Sequence, residues 1–149
     1  NIRDAFARMN IPVTRLHDAP FENGGLRLVD IPLIFCNMNA NANDPDNYYF
    51  EQTDDYIRNC METGTKVYYR LGTTIEHSEN KYFVHPPEDV KKWIEVVSNI
   101  IRHYTEGKWN GFHYDIEYWE IWNEPDLGPQ MWTGTLAEFN DFYVKVPKS

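Results

Sequence analysis

Two short runs, Lys66-Val67-Tyr68-Tyr69-Arg70-Leu71-Gly72 at 66–72 and Tyr118-Trp119-Glu120-Ile121-Trp122 at 118–122, bracket one long amphipathic pattern. Both runs are rich in aromatic and branched apolar residues and read as strands. Between them, Val90, Trp93, Ile94, Val97, Ile100, Ile101 and Tyr104 recur at helical spacing and predict a helix over 88–104 with a single apolar face. Pro86-Pro87 lead into it, and Glu88-Asp89 suit the positive end of its dipole. A helical crossover between two strands means a parallel pair with the helix packed outside.

The same alternation continues outward. Tyr56, Ile57, Cys60 and Met61 predict a helix over 50–63, with Thr53 or Asp54 as its N-cap and Gly64 as its stop. Before it, residues 12–17 read as a strand with Val13, Arg15 and His17 on one side and Thr14 and Leu16 on the other. Ala5, Phe6 and Met9 mark the end of a still earlier helix. Downstream, Leu136, Phe139, Tyr143 and Val146 predict a helix over 136–146 that Pro147 breaks. Residues 18–47, rich in Asn, Asp, Pro and Gly around Ile31-Pro32-Leu33-Ile34-Phe35, read as a long functional loop with one short strand.

Helix, strand, helix, strand, helix, strand, helix is an α/β order with parallel strands and outer helices. A (β/α)₈ barrel needs about 250 residues, and 149 residues supply about three strand–helix units. The expected fold class is therefore α/β, a partial (β/α)₈ TIM barrel amounting to about its first half. Residues 1–149 are expected to be a fragment of a catalytic domain of that kind. A stand-alone small α/β domain is the alternative, and it would need its parallel edges covered by self-association.

Composition narrows the function classes. Fourteen Lys and Arg against 23 Asp and Glu leave a formal net charge of −9, which disfavours a nucleic-acid partner. Apolar runs such as 33–36 fall far short of the ~20 residues of a membrane span. The start at Asn1 lacks the basic patch and apolar stretch of a secretory signal and is not a Met, which leaves the authentic start and the compartment open. Cys36 and Cys60 exclude a Cys-rich framework and are expected to be two buried thiols. Rings make up 15% of the chain, with 10 Tyr, 8 Phe and 5 Trp. Flat apolar faces with polar edges suit a carbohydrate, whose own surface alternates apolar faces and hydroxyls.

The chemistry concentrates at Trp119-Glu120-Ile121-Trp122-Asn123-Glu124-Pro125. Strand residues run directly into Asn and Glu, and sites of parallel α/β proteins form at the carboxyl ends of strands. Pro125 is expected to hold Glu124 extended. The neighbouring rings are expected to exclude water from its carboxyl and keep it protonated, as a general acid requires. Asn123 offers an amide that both donates and accepts. The plainer readings are a helix-capping carboxylate for Glu124 and a turn residue for Asn123. Arg15 shares its strand face with His17 and needs a partner if buried, for which Glu120 is the candidate and a second carboxylate outside the chain the other option. Trp132 is a candidate platform for a sugar ring, with helix packing as the alternative.

Trp122-Asn123-Glu124-Pro125 resembles the acid/base signature at the end of the fourth strand of clan A glycoside hydrolases, which are retaining (β/α)₈ enzymes. With Asp126-Leu127, Met131-Trp132, Gly134 and Phe142-Tyr143, the stretch is similar to glycoside hydrolase family 39, the β-xylosidase and α-L-iduronidase group. Pro86-Pro87-Glu88-Asp89 with Trp93 resembles that family's third crossover helix, and Arg15-Leu16-His17 its second strand. The resemblance implies Glu124 as acid/base, Asn123 at the sugar 2-hydroxyl and His17 near the sugar in the cleaved position. Two features depart from the family. Arg70-Leu71-Gly72-Thr73-Thr74 stands where the family has a different apolar and Pro-containing pattern, and the nucleophilic Glu of the seventh strand lies beyond the chain.

The expected function is thus part of a retaining, β-xylosidase-like glycosidase acting on a carbohydrate substrate, incomplete and inactive by itself. Two carboxyls suffice for such chemistry, so no cofactor or metal is expected. His113, Asp115 and Glu117 alternate, but they precede the strand end and read as a solvated polar edge. The reading from another class is a catalytically inactive carbohydrate-binding barrel or scaffold.

Overall fold

The computed structural model describes residues 2–16, 28–73 and 81–146. Helix α1 (Ile2–Arg8) leads to strand β1 (Val13–Leu16), then a short helix α2 (Ile31–Ile34), helix α3 (Glu51–Met61) and strand β2 (Lys66–Leu71). Helix α4 (Val90–Thr105), strand β3 (Tyr118–Ile121) and helix α5 (Leu136–Lys145) complete the order. The strands form one parallel sheet, β1-β2-β3, with Arg15 beside Tyr68 and Arg70 beside Glu120 in register. The expected α/β architecture of parallel strands joined by outer helices is the observed one.

Pleating divides the sheet into two unlike faces. Leu16, Val67, Tyr69 and Leu71 are at most 1% exposed and pack with Ile57, Trp93, Val96, Val97, Ile100 and Tyr104 of the helices. This side carries the apolar burial that holds strands and helices together. The other face presents Arg15, Tyr68, Tyr118 and Glu120, and the Tyr68 and Tyr118 rings lie 5.9 Å apart.

Local chemistry explains the element boundaries. Asp89 caps α4 by accepting from the Lys92 amide at 3.0 Å. A capping box, with Thr135 and Glu138 each bonding the other's backbone, starts α5. Gly64 at φ 88° turns the chain out of α3. The N-cap expectation for α3 fails, because the helix starts one turn earlier, after Phe50. Thr53 is buried within it and its hydroxyl donates to the Leu28 carbonyl. Asp54 turns toward α4, accepting from Tyr104 Oη at 2.9 Å and lying 3.1 Å from His103 Nε2.

The strand expected around Ile31 is a helical turn instead. Asp30 precedes it, Pro32 sits in its first turn, and Ile31 and Ile34 share its buried side. The thiol expectation also needs correcting. Cys36 is exposed and Cys60 only half-buried, neither in a disulfide, although burial pushes the Cys60 thiol up from its ordinary value. Among the described residues, no helix is long and apolar enough to cross a membrane.

Candidate active site

Strand β3 ends at Ile121, and the next three residues leave the pleat. Trp122 and Glu124 both occupy the left-handed region, at φ 68° and 39°. The extended Glu124 expected from Pro125 is therefore not observed. The cause lies downstream, where the Glu124 carbonyl accepts from the Leu127 amide at 3.1 Å and opens the 3₁₀ turns of Pro125–Gln130. That reversal returns the Met131 carbonyl to the Trp122 indole N–H at 2.7 Å.

The rings flanking Glu124 in sequence do not enclose it. Trp122 is 3% exposed and packs edge-on against Trp132, with ring centroids 5.1 Å apart. Trp132 is 1% exposed, held among Trp122, Phe139 and Phe142, and its indole N–H donates to the Thr135 carbonyl at 3.0 Å. Fully packed on the helix side, Trp132 offers no face to a sugar, and its expected stacking role is withdrawn. Glu124 is exposed, so the expectation of a ring-lined carboxyl fails among the described residues.

What does converge is a polar clamp across the sheet. Arg15 donates from Nε to Glu120 at 2.7 Å and from Nη2 to the other Glu120 oxygen at 2.6 Å, a two-pronged ion pair. The same Nη2 donates to Asn123 Oδ1 at 2.9 Å, and Asn123 Nδ2 lies 3.4 Å from Glu124 Oε2. The hydrogen-bonded Glu120 carboxylate holds the Arg15 guanidinium above its ordinary value, against its partial desolvation, and the charge of Glu124 adds to this. Arg15, Glu120, Asn123 and Glu124 thus meet at one strand end. His17 lies outside the described residues.

A second ion pair has no counterpart in the sequence reading. Arg70, fully buried at the end of β2, donates to Asp30 at 2.9 Å. The pair ties the α2 segment over the strand end, where the Ile31 amide also donates to the Gly72 carbonyl at 3.0 Å. Its one sequence signal was a charge at the final inward position of a strand. At the opposite end of the sheet, Asp115 and Glu117 lie 3.6 and 3.5 Å from Lys66 in solvent. Among the described residues, no group of three His, Cys, Asp or Glu side chains could hold a metal ion.

A carboxyl and an amide are presented together where a parallel strand ends, beside a partly exposed ion-pair clamp, at the position where sites of parallel α/β proteins form. The chain belongs to glycosyl hydrolases family 39, whose model matches residues 15–149. It is 27% identical over 110 residues to a β-xylosidase of Caldicellulosiruptor saccharolyticus, an alignment covering 64% of this chain and 21% of that protein. It also superposes on the crystal structure of a glucosidase from Croceicoccus marinus, with a TM-score of 0.80 and 26% identity over 96% of this chain and 29% of that one. The chain thus spans about a fifth of the one protein's length and under a third of the other's.

Proposed function

We infer that this chain contributes the acid/base side of the active centre of a retaining, β-xylosidase-like glycosidase, as part of a (β/α)₈ catalytic domain. The carrying observation is the Arg15–Glu120–Asn123–Glu124 constellation at the carboxyl end of the sheet. Glu124 protonates the departing glycosidic oxygen and then deprotonates the water that releases the sugar. In such enzymes a second carboxylate attacks the anomeric carbon from about 5–5.5 Å away.

Glu120 is ill-suited to that attack, because Arg15 holds both of its oxygens and reduces their nucleophilicity. The nucleophile is accordingly assigned outside these 149 residues, and the chain alone is inactive. Asn123 is 2% exposed and its oxygen already accepts from Arg15, so its amide is oriented with Nδ2 toward Glu124 and the substrate side.

The test is Glu124→Gln in the enzyme that carries this chain. Loss of about 10²–10⁴-fold in turnover of unactivated glycosides, with substrate binding retained, is the expected result. Unchanged turnover overturns the assignment. Carbohydrate binding with no turnover by the unsubstituted enzyme favours the inactive binding barrel instead.

A further inference from the structure

We propose that Gly72 is a positioning residue for Glu124, acting through the backbone of Trp122; the proposal rests on the acid/base reading above. Gly72 follows β2 directly and has φ 150°, a conformation L side chains rarely adopt. A Cβ at this position would lie 3.2 Å from Trp122 Cα, 3.4 Å from Arg70 Nη1 and 3.5 Å from Trp122 Cε3. The closest of these atoms is backbone, which cannot swing aside as a side-chain tip can.

Each neighbour is anchored by its own hydrogen bonds. The Trp122 amide donates to the Leu71 carbonyl at 2.7 Å, and its indole N–H to the Met131 carbonyl at 2.7 Å. Arg70 is fully buried and paired with Asp30. The Gly72 carbonyl itself is held by the Ile31 amide at 3.0 Å. Three chain segments therefore close on a position where a methyl group would press on the Trp122 backbone and require it to give by a few tenths of an ångström.

The consequence reaches the carboxyl because Trp122 is two residues from it, inside a turn with left-handed residues on either side of Asn123. A shift at Trp122 Cα rotates the Asn123–Glu124 peptide, and the pleat no longer operates there to restore it. Misplacing a catalytic group by about 1 Å costs on the order of 10²-fold. Gly72 contacts neither substrate nor reacting atoms in this scheme; it sets where the proton donor stands.

The readout is leaving-group dependence in the enzyme carrying this chain. A dinitrophenolate leaves without help from an acid, whereas an alkoxide or a sugar needs the proton. Gly72→Ala is expected to lower kcat/KM about 10- to 100-fold for poor leaving groups and less than about threefold for dinitrophenyl glycosides. Trp122→Phe, which removes the indole N–H and keeps a ring, is expected to give the same tilt in milder form should Gly72→Ala fail to fold.

A uniform loss across the series, or none, in the variant that folds overturns the proposal. Glu124→Gln separates this from the parent reading. If its own losses ignore the leaving group, the acid/base assignment falls; if they follow the leaving group while the Gly72→Ala or Trp122→Phe profile is flat, only the role of Gly72 falls.

Discussion

Replacing Arg15 by Met keeps most of the apolar stem and deletes the guanidinium, and with it three hydrogen bonds. The two to Glu120 sit where the side chains are 38% and 22% exposed, so solvent screening reduces their joint worth to about 1 kcal/mol. The bond to Asn123 is another matter. Asn123 is 2% exposed, and an oxygen left there without a donor costs about 1–2 kcal/mol. Arg15→Met should therefore destabilise by about 2–3 kcal/mol, with the larger share from the amide rather than from the ion pair.

Urea unfolding followed by the fluorescence of Trp119 and Trp122 measures the total. Double-mutant cycles then divide it: Arg15→Met with Glu120→Gln should couple by about 1 kcal/mol, and Arg15→Met with Asn123→Leu by at least as much. If both pairs are additive within about 0.3 kcal/mol, the clamp has no energetic content and does not steady the strand end.

Two further outcomes follow from the same structure. Asp54→Ala removes the acceptor of the Tyr104 hydroxyl beside the buried His103 ring, and is expected to cost about 1–3 kcal/mol in denaturant unfolding while leaving the leaving-group profile unchanged. The Thr135 backbone amide and hydroxyl hold the Glu138 carboxyl below its ordinary value of 4.5. A depressed folded value means the contribution is present above the unfolded value and lost as pH falls through the folded one. Glu138→Gln should flatten the acid-side fall of melting temperature between about pH 6 and pH 3, and Thr135→Ala should cost about 1 kcal/mol at neutral pH.

Periodic features were legible in the sequence. The apolar stripe of α4 and the alternation in β1 place Arg15 and Leu16 on opposite faces without reference to anything distant. The pairing of Arg15 with Glu120 could be anticipated because a charge within a strand needs a partner and both residues lie on one face of the sheet, on the strands flanking β2. Contacts set by the path of the chain between elements were not legible. Arg70 and Asp30 are 40 residues apart and meet only because the α2 segment folds back over β2. Trp132 was a candidate sugar platform and Trp122 a ring expected to line Glu124, yet both are buried and their N–H groups donate to the Thr135 and Met131 carbonyls. Glu124 followed the turn downstream of it rather than the local preference set by Pro125.

The left-handed pair at Trp122 and Glu124 carries a cost for any attempt to harden this protein against heat. Such conformations cost about 1–3 kcal/mol at residues with a Cβ, and glycine or asparagine adopts them more readily. Glycine or asparagine at 124 would relax the chain while deleting the carboxyl proposed as the proton donor. Directed evolution scored on survival of boiling alone would drift toward that exchange, because durability and turnover make opposite demands on a single amino acid.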